Sequence, residues 1–205
     1  MTFSSSLTSE RRPLVIDTSV LINLNACTYG ERILLALPNE IVVPQAVVDE
    51  LTHETSRRNG GHSFLQNMLD AGTAVAAELS DEEYEIFGQL TSNTNSLDDG
   101  EAATIAVSVK RNYFPVIDEK KGRARAADLM TAVPGWSLDL LLHPMVITTL
   151  GDSAAIEALY LALRIGRMRI PPETLEHVIS LIGEERSVEC TCLPGYQERF
   201  STRRI

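Results

Sequence analysis

The sequence predicts an α/β fold: a central, mostly parallel sheet flanked by helices, with a C-terminal helical extension. Short β-branched runs at Leu14–Ile16, Ile41–Val43 and Tyr113–Ile117 alternate with longer segments of helical periodicity, as in βαβ units. These runs are apolar throughout, as strands buried on both faces of a parallel sheet are. Acids follow them: Asp17 ends the first, Glu50 lies just beyond the second, and Asp118 ends the third.

The first run sets the pattern. Leu14-Val15-Ile16-Asp17-Thr18-Ser19-Val20-Leu21-Ile22 passes from apolar to acidic to polar and back to apolar. Asp17 thus falls at a strand's carboxyl end, where open α/β sheets bind ligands, and Thr18 or Ser19 can cap the next helix. A buried aspartate needs a hydrogen bond, a paired charge or a cation. A helix-capping role for Asp17 would also meet that need.

Val20 to Asn25 and Glu31 to Leu37 read as helices, the latter stopped near Pro38. After the strand Ile41–Val43, Pro44 opens a helix where its missing N–H is harmless. Val47, Val48 and Leu51 form that helix's apolar face, with Asp49 and Glu50 beside it. His53 to Gly61 is a polar loop containing Arg57 and Arg58. Ser63 to Asp70 is helical, Thr73 to Leu79 strand-like, Asp81 to Leu90 helical, and Thr91 to Ser96 a loop. Ala102, Ile105, Ala106 and Val109 then recur at helical spacing. Beyond Asp118-Glu119, Lys120-Lys121-Gly122-Arg123-Ala124-Arg125 leads into an Ala-rich helix. Val133 to Leu142 suggests a short edge strand near Trp136 and then a helix. Asp152 or Ser153 caps a helix carrying Ile156, Leu159, Tyr160 and Leu163, and Leu175, Val178, Ile179 and Ile182 mark a final one. The organisation expected is a flexible leader over 1–12, a domain over 13–150, C-terminal helices over 151–183, and a flexible tail over 184–205.

The acids have ordinary explanations one at a time. Asp98-x-x-Glu101 is close to a capping box, in which Glu101 reaches back to the N-cap backbone. Asp49 competes with Glu50, and Asp118-Glu119 fits a turn. Parallel strands, however, put their carboxyl ends on one edge, so Asp17, Glu50, Glu101 and Asp118 can converge. Clustered carboxylates raise one another's pKa, and a hard divalent cation removes that repulsion. Mg²⁺ or Mn²⁺ suits an oxygen-only donor set. Such ions activate water and clamp the oxygens of a phosphodiester.

In this order the motifs resemble the PIN domain, a metal-dependent ribonuclease fold that includes toxin subunits of bacterial toxin–antitoxin modules. The matching pieces are Val15-Ile-Asp17-Thr-Ser-Val-Leu-Ile22, Val43-Pro44-x-x-Val47-x-x-Glu50-Leu51, Leu97-Asp98-x-Gly100-Glu101-Ala102 with Ile105-Ala106, and Val116-Ile117-Asp118-Glu119. The resemblance runs from Pro13 to Leu129, and Asp139 to Ile182 match C-terminal helices of one subgroup. It implies Asp17, Glu50, Glu101 and Asp118 as catalytic metal ligands, with Asp98 competing for the third place and Glu119 for the fourth. It further implies Mg²⁺ or Mn²⁺ as cofactor and RNA as substrate, with Ser19, Lys121 and Arg123 against the substrate. A basic antitoxin-like protein and a homodimer are the protein partners it brings in. The alternative is a catalytically silent PIN-like scaffold binding RNA or protein. A phosphotransferase is disfavoured, because the second aspartate such enzymes use would fall at Ser19.

Composition bounds these readings. Apolar residues at 44% and charged residues at 22% describe an ordinary globular chain. No apolar run approaches the ~20 residues of a membrane span, and Met1 to Arg12 lacks the apolar centre of a signal peptide. Cys27, Cys190 and Cys192 are an odd, sparse set that suits a reducing cytoplasm. Cys190-x-Cys192 near His177 fits no usual zinc spacing, and His143 has no evident catalytic partner. The net charge of −10 opposes casual nucleic-acid binding, so local cations decide that question.

Overall fold

The computed structural model describes residues 5–52, 60–92 and 96–200. Arg57, Arg58 and Asn59, residues 93–95, and Arg203 and Arg204 lie outside the described residues.

Strands β1 (Leu14–Ile16), β2 (Ile41–Pro44), β3 (Val75–Ala77) and β4 (Phe114–Val116) form one parallel sheet in the order β3-β2-β1-β4. Leu14 pairs with Ile41 on one side and Phe114 on the other, and Val42 pairs with Val75. Every residue of β1, β2 and β4 is buried, as their unbroken apolar character requires. Pro115 is tolerated because β4 lies at the edge. There, Gly135 bridges to Val116, donating to the Pro115 carbonyl and accepting from Ile117 N–H, both at 3.0 Å. This single bridge is what the predicted edge strand near Trp136 amounts to.

The chain winds outward from β1 to β2 and β3, then returns to place β4 on the opposite side of β1. Winding reverses between β1 and β4, the kind of switch point at whose carboxyl end such sheets bind ligands.

Around the sheet lie α1 (Thr18–Ala26), α2 (Gly30–Ala36), α3 (Gln45–Leu51), α4 (Gly61–Asp70), α5 (Asp81–Thr91), α6 (Asp99–Arg111) and α7 (Lys120–Leu129). Asp17 itself, rather than Thr18 or Ser19, caps α1. Ser80 and Glu83 form a reciprocal capping box on α5, and Glu83 also takes a two-pronged ion pair from Arg111 of α6. Helix α6 is buried continuously from Gly100 to Ser108, which its run of small residues permits, and it stops at Asn112 in the left-handed conformation.

The C-terminal half adds α8 (Ser137–Leu141), α9 (Pro144–Leu150), α10 (Asp152–Arg164), α11 (Leu175–Ile182), α12 (Glu184–Ser187) and α13 (Tyr196–Phe200). Gly151, at φ +82°, turns α9 into α10 and occupies the cap position expected of Asp152 or Ser153. Leu159, Val178 and Phe200 share one core with Leu14, Leu24 and Val43. Among the described residues, no single helix is long and apolar enough to cross a membrane.

Both ends depart from the sequence expectation. In the leader, Leu7 is fully buried, Ser5 Oγ donates to the Asp139 carbonyl at 2.8 Å, and Ser6 N–H donates to Asp139 Oδ1 at 2.7 Å. Asn39 Nδ2 fastens the same segment through the Glu10 and Arg12 carbonyls. Its polar residues serve hydrogen bonds, and Leu7, its one deep apolar anchor among the described residues, is too little to show as periodicity. In the tail, Cys190, Leu193 and Phe200 are buried, and Arg199 pairs with Glu176 and Glu184. Those turns are only four and five residues long, too short for a helical repeat. Leu7→Ala should therefore lower unfolding free energy by about 2–5 kcal/mol in a denaturant titration; a change near zero would mean the leader does not belong to the core.

Candidate active site

The acids collect where β1, β2 and β4 give way to helices. Asp17 is 2% exposed, and its Oδ2 accepts from Ser19 N–H at 3.2 Å and Ser19 Oγ at 2.6 Å. Ser19 thus orients Asp17. Thr18 Oγ1 donates to Glu50 Oε2, and Glu50 Oε1 accepts from Gly100 N–H at 2.7 Å. Glu50 ties the start of α1 to the start of α6. Its neighbour Asp49 is exposed and accepts from Gln45 on the outer face of α3.

Glu101 separates the capping explanation from the functional one. Asp98 does cap α6, accepting from Glu101 N–H at 2.8 Å. The Glu101 carboxylate does not return the bond: Oε1 is buried with no hydrogen-bond partner. It lies against α7, where a Cβ on Gly122 would come within 2.6 Å of that oxygen. A Cβ on Gly100 would come within 2.7 Å of Glu50 Oε2 and of Thr18 Oγ1. These two glycines let the helix starts approach with acids between them.

Asp118, also 2% exposed, is held differently. Ser137 N–H donates to Oδ1 at 2.8 Å, while Ser137 Oγ and Asn23 Nδ2 donate to Oδ2 at 2.6 and 2.7 Å. The adjacent Glu119 forms an ion pair with Arg169. Asn23 and Ser137 went unnoticed in the sequence. The available signal for Asn23 was a polar residue three after Val20 on the buried side of α1.

Electrostatics sort the acids further. Burial, with Asp98 adding to it, pushes the Asp17 carboxyl up to about 7. Burial together with the charges of Asp98, Asp17 and Glu119 pushes Glu101 up to about 8. Burial raises Asp118 as well, to about 6, opposed by its bonds from Ser137 and Asn23 and by the Arg123 charge. Asp17 and Glu101 therefore share one field and are deficient in positive charge.

The cations near the site depart from the expected substrate-binding set. Arg123 is 9% exposed, donates to the carbonyls of Ile117, Pro134 and Gly135, and stacks on Trp136 at 3.7 Å. It clamps the chain beyond β4, with three carbonyls and the indole around it. Lys121 is exposed and donates to the Ser96 carbonyl, ahead of Leu97. A cavity of about 460 Å³ opens at the β1/β4 switch point, lined by Ser19, Asn23, Asp118, Glu119, Arg167 and Arg169.

The donor set fits a hard divalent cation. It consists of carboxylate and hydroxyl oxygens, and one buried carboxylate oxygen lacks a partner. Among the described residues, no group of three or more His, Cys, Asp or Glu side chains is placed to hold a metal ion. An open arrangement suits Mg²⁺, which retains several waters and takes few carboxylates.

The raised acids make a prediction for the metal-free chain. The folded state keeps protons on Asp17 and Glu101 that the unfolded chain releases near 3.8 and 4.5, so stability falls as pH rises from there through about 7 and 8. In EDTA, Tm should decrease between about pH 5 and pH 8, and Asp17→Asn with Glu101→Gln should flatten the decline. A wild-type Tm that climbs across that window would refute it.

Comparison with known proteins extends the match along the chain. No curated protein and no solved structure matches it. A family model described as a PIN domain matches residues 13–184, covering the sheet, the acidic edge and the helices through α11. The chain belongs to the PIN-domain family, whose members are generally nucleases.

Proposed function

We propose that this PIN domain is a metal-dependent endoribonuclease that hydrolyses RNA phosphodiester bonds. The observation that supports this reading most is the unpartnered, buried Glu101 Oε1 in the same field as Asp17. Two desolvated acids acting on each other, with no cation among the causes of either shift in the described residues, are better explained by a ligand than by packing.

Asp17 and Glu101 would hold Mg²⁺ or Mn²⁺ directly, with Glu50 and Asp118 completing the acidic surround. A bound divalent ion supplies water of lowered pKa and neutralises charge developing on the phosphodiester oxygens. The protein's own part is orientation. Ser19 fixes the Asp17 carboxylate, Thr18 and Gly100 fix Glu50, and Ser137 with Asn23 fixes Asp118. The catalytically silent alternative would need a lost carboxylate, and all four positions are filled. A toxin subunit in the cytoplasm, covered at this acidic edge by a basic antitoxin-like partner, is the setting this reading favours for a chain of net charge −10. Failure of a basic protein to co-purify would count against that setting.

The test is cleavage of a mixed RNA panel by purified protein with Mn²⁺, Mg²⁺ or EDTA. Hydrolysis should require metal. Glu101→Gln, which removes charge and keeps shape, should slow it by about 100-fold or more, as several kcal/mol of metal-derived stabilisation implies. Ser137→Ala should weaken apparent metal affinity by about 10–100-fold while the catalytic acids remain. Cleavage insensitive to EDTA or to Glu101→Gln would refute the proposal.

A further inference from the structure

Asp139 is a buried acid that stands outside the acidic edge. It is 4% exposed and is the third residue of α8, where its Oδ2 accepts from Trp136 N–H at 2.9 Å, as a residue capping its own helix does. Capping occupies one oxygen. The other, Oδ1, accepts from Ser6 N–H at 2.7 Å, and the Asp139 carbonyl accepts from Ser5 Oγ at 2.8 Å. One carboxylate thus joins the leader to the turn that opens α8, across 133 residues of sequence.

That turn carries donors of Asp118. Ser137 follows Trp136 directly, and its N–H and Oγ donate to the two Asp118 oxygens at 2.8 and 2.6 Å. Ahead of it, Gly135 is bridged to β4, and Arg123 binds the carbonyls of Pro134 and Gly135. The turn is therefore pinned by β4 and Arg123 on one side of Trp136 and by Asp139 on the other. Asp139 and Asp118 also act on one cation: burial lowers the Arg123 guanidinium to about 10, and the charges of Asp118, Asp139 and Glu173 oppose it.

We infer that Asp139 is a positioning residue of the acidic edge and that the leader turn Ser5–Thr8 is the strap that holds it. The N-terminal segment thereby sets how firmly Ser137 grips Asp118. The consequence for metal affinity rests on the nuclease reading; the strap itself is a property of the folded chain.

The strap can be cut at one bond. Thr8 N–H donates to the Ser5 carbonyl at 3.2 Å, so Ser5–Thr8 is a β-turn with Ser6 at its second position, where proline fits. Ser6→Pro deletes the N–H given to Asp139 and keeps the turn. Ser6→Ala is the control, because that bond comes from the backbone. Asp139→Asn keeps the shape and turns a donor toward one of the two N–H groups.

In metal-free protein, hydrogen exchange at the Ser137 amide, read by NMR, reports the grip on Asp118. Exchange there should be on the order of tenfold faster in Ser6→Pro and in Asp139→Asn, the loss of about one hydrogen bond. It should be unchanged in Ser6→Ala, and the amides of Val15 and Val42 should keep their protection in every variant. Calorimetric titration with Mn²⁺ should give about tenfold weaker affinity in Asp139→Asn, and this loss should be markedly less than additive with that of Ser137→Ala, because Asp139 acts through Ser137. A residue serving only the stability of the fold would give additive losses.

Unchanged Ser137 exchange in either Ser6→Pro or Asp139→Asn overturns the inference, as does full additivity with Ser137→Ala. If the wild type cuts RNA under those results, the nuclease stands and the strap falls. If exchange responds as expected while the wild type neither binds Mn²⁺ nor cuts RNA, the strap stands and the nuclease reading falls, together with the coupling to metal.

Discussion

Burial of negative charge at the first turns of α1, α6 and α7 is the constraint on which the rest depends. Each helix directs its positive end at the acidic edge, which favours carboxylates by about 0.3–1 kcal/mol apiece. That is too little. Displacing Asp17 from 3.8 to about 7 corresponds to roughly 4 kcal/mol, and Glu101 is displaced comparably. The helix ends therefore soften the desolvation of these acids without offsetting it, and both carboxyls stay raised in the folded chain. Gly100 and Gly122 enforce this state geometrically, since any side chain there would drive Glu50 and Glu101 away from their places.

Around that strained centre, hydrogen bonds divide the acids into two kinds. Glu50 and Asp118 are saturated from neighbouring elements, whereas Glu101 keeps a bare oxygen. The bonds to Glu50 join α1, α3 and α6, and those to Asp118 join α1 to the start of α8. Arg123 completes the second junction by binding the carbonyls of Ile117, Pro134 and Gly135. The C-terminal half is thereby built into the site, consistent with one core running from Leu7 to Phe200. Its helices are structural partners of the acidic edge.

Much of this was legible because two rules dominate it. All-apolar strand runs announce a parallel sheet, and a parallel sheet gathers whatever follows its strands onto one edge. The positions of Asp17 and Asp118 follow from those rules, whereas Glu50 lies in the last turn of α3. What escaped depends on contacts distant in sequence. Arg123 has the composition of a solvated helix start, and only the approach of 134–136 turns it inward. Asp118 looked as open as Asp17 until Ser137 arrived from beyond β4. Leu7 is one of three apolar residues scattered through a polar leader, with Met1 and Phe3, and so few set no period. Asp-x-x-Glu spacing alone could not show that only half of the capping box forms, with Asp98 capping α6 and the Glu101 carboxylate turned elsewhere.

The net charge is the same kind of lesson. A total of −10 argues against RNA only if charge acts from everywhere at once. Screening limits exposed charges to about 8 Å at physiological ionic strength, so a strand in the cleft responds to the groups lining it. Those include Arg167, Arg169 and Lys120 along with the acids. Opposite signs this close would ordinarily collapse into ion pairs, and Arg169 with Glu119 begins to do so. Arg167 lines the same cavity as Asp118, but Ser137 and Asn23 already occupy both Asp118 oxygens. Saturating one acid internally thus leaves it no bare oxygen to offer a neighbouring arginine, and the cleft keeps both signs of charge side by side.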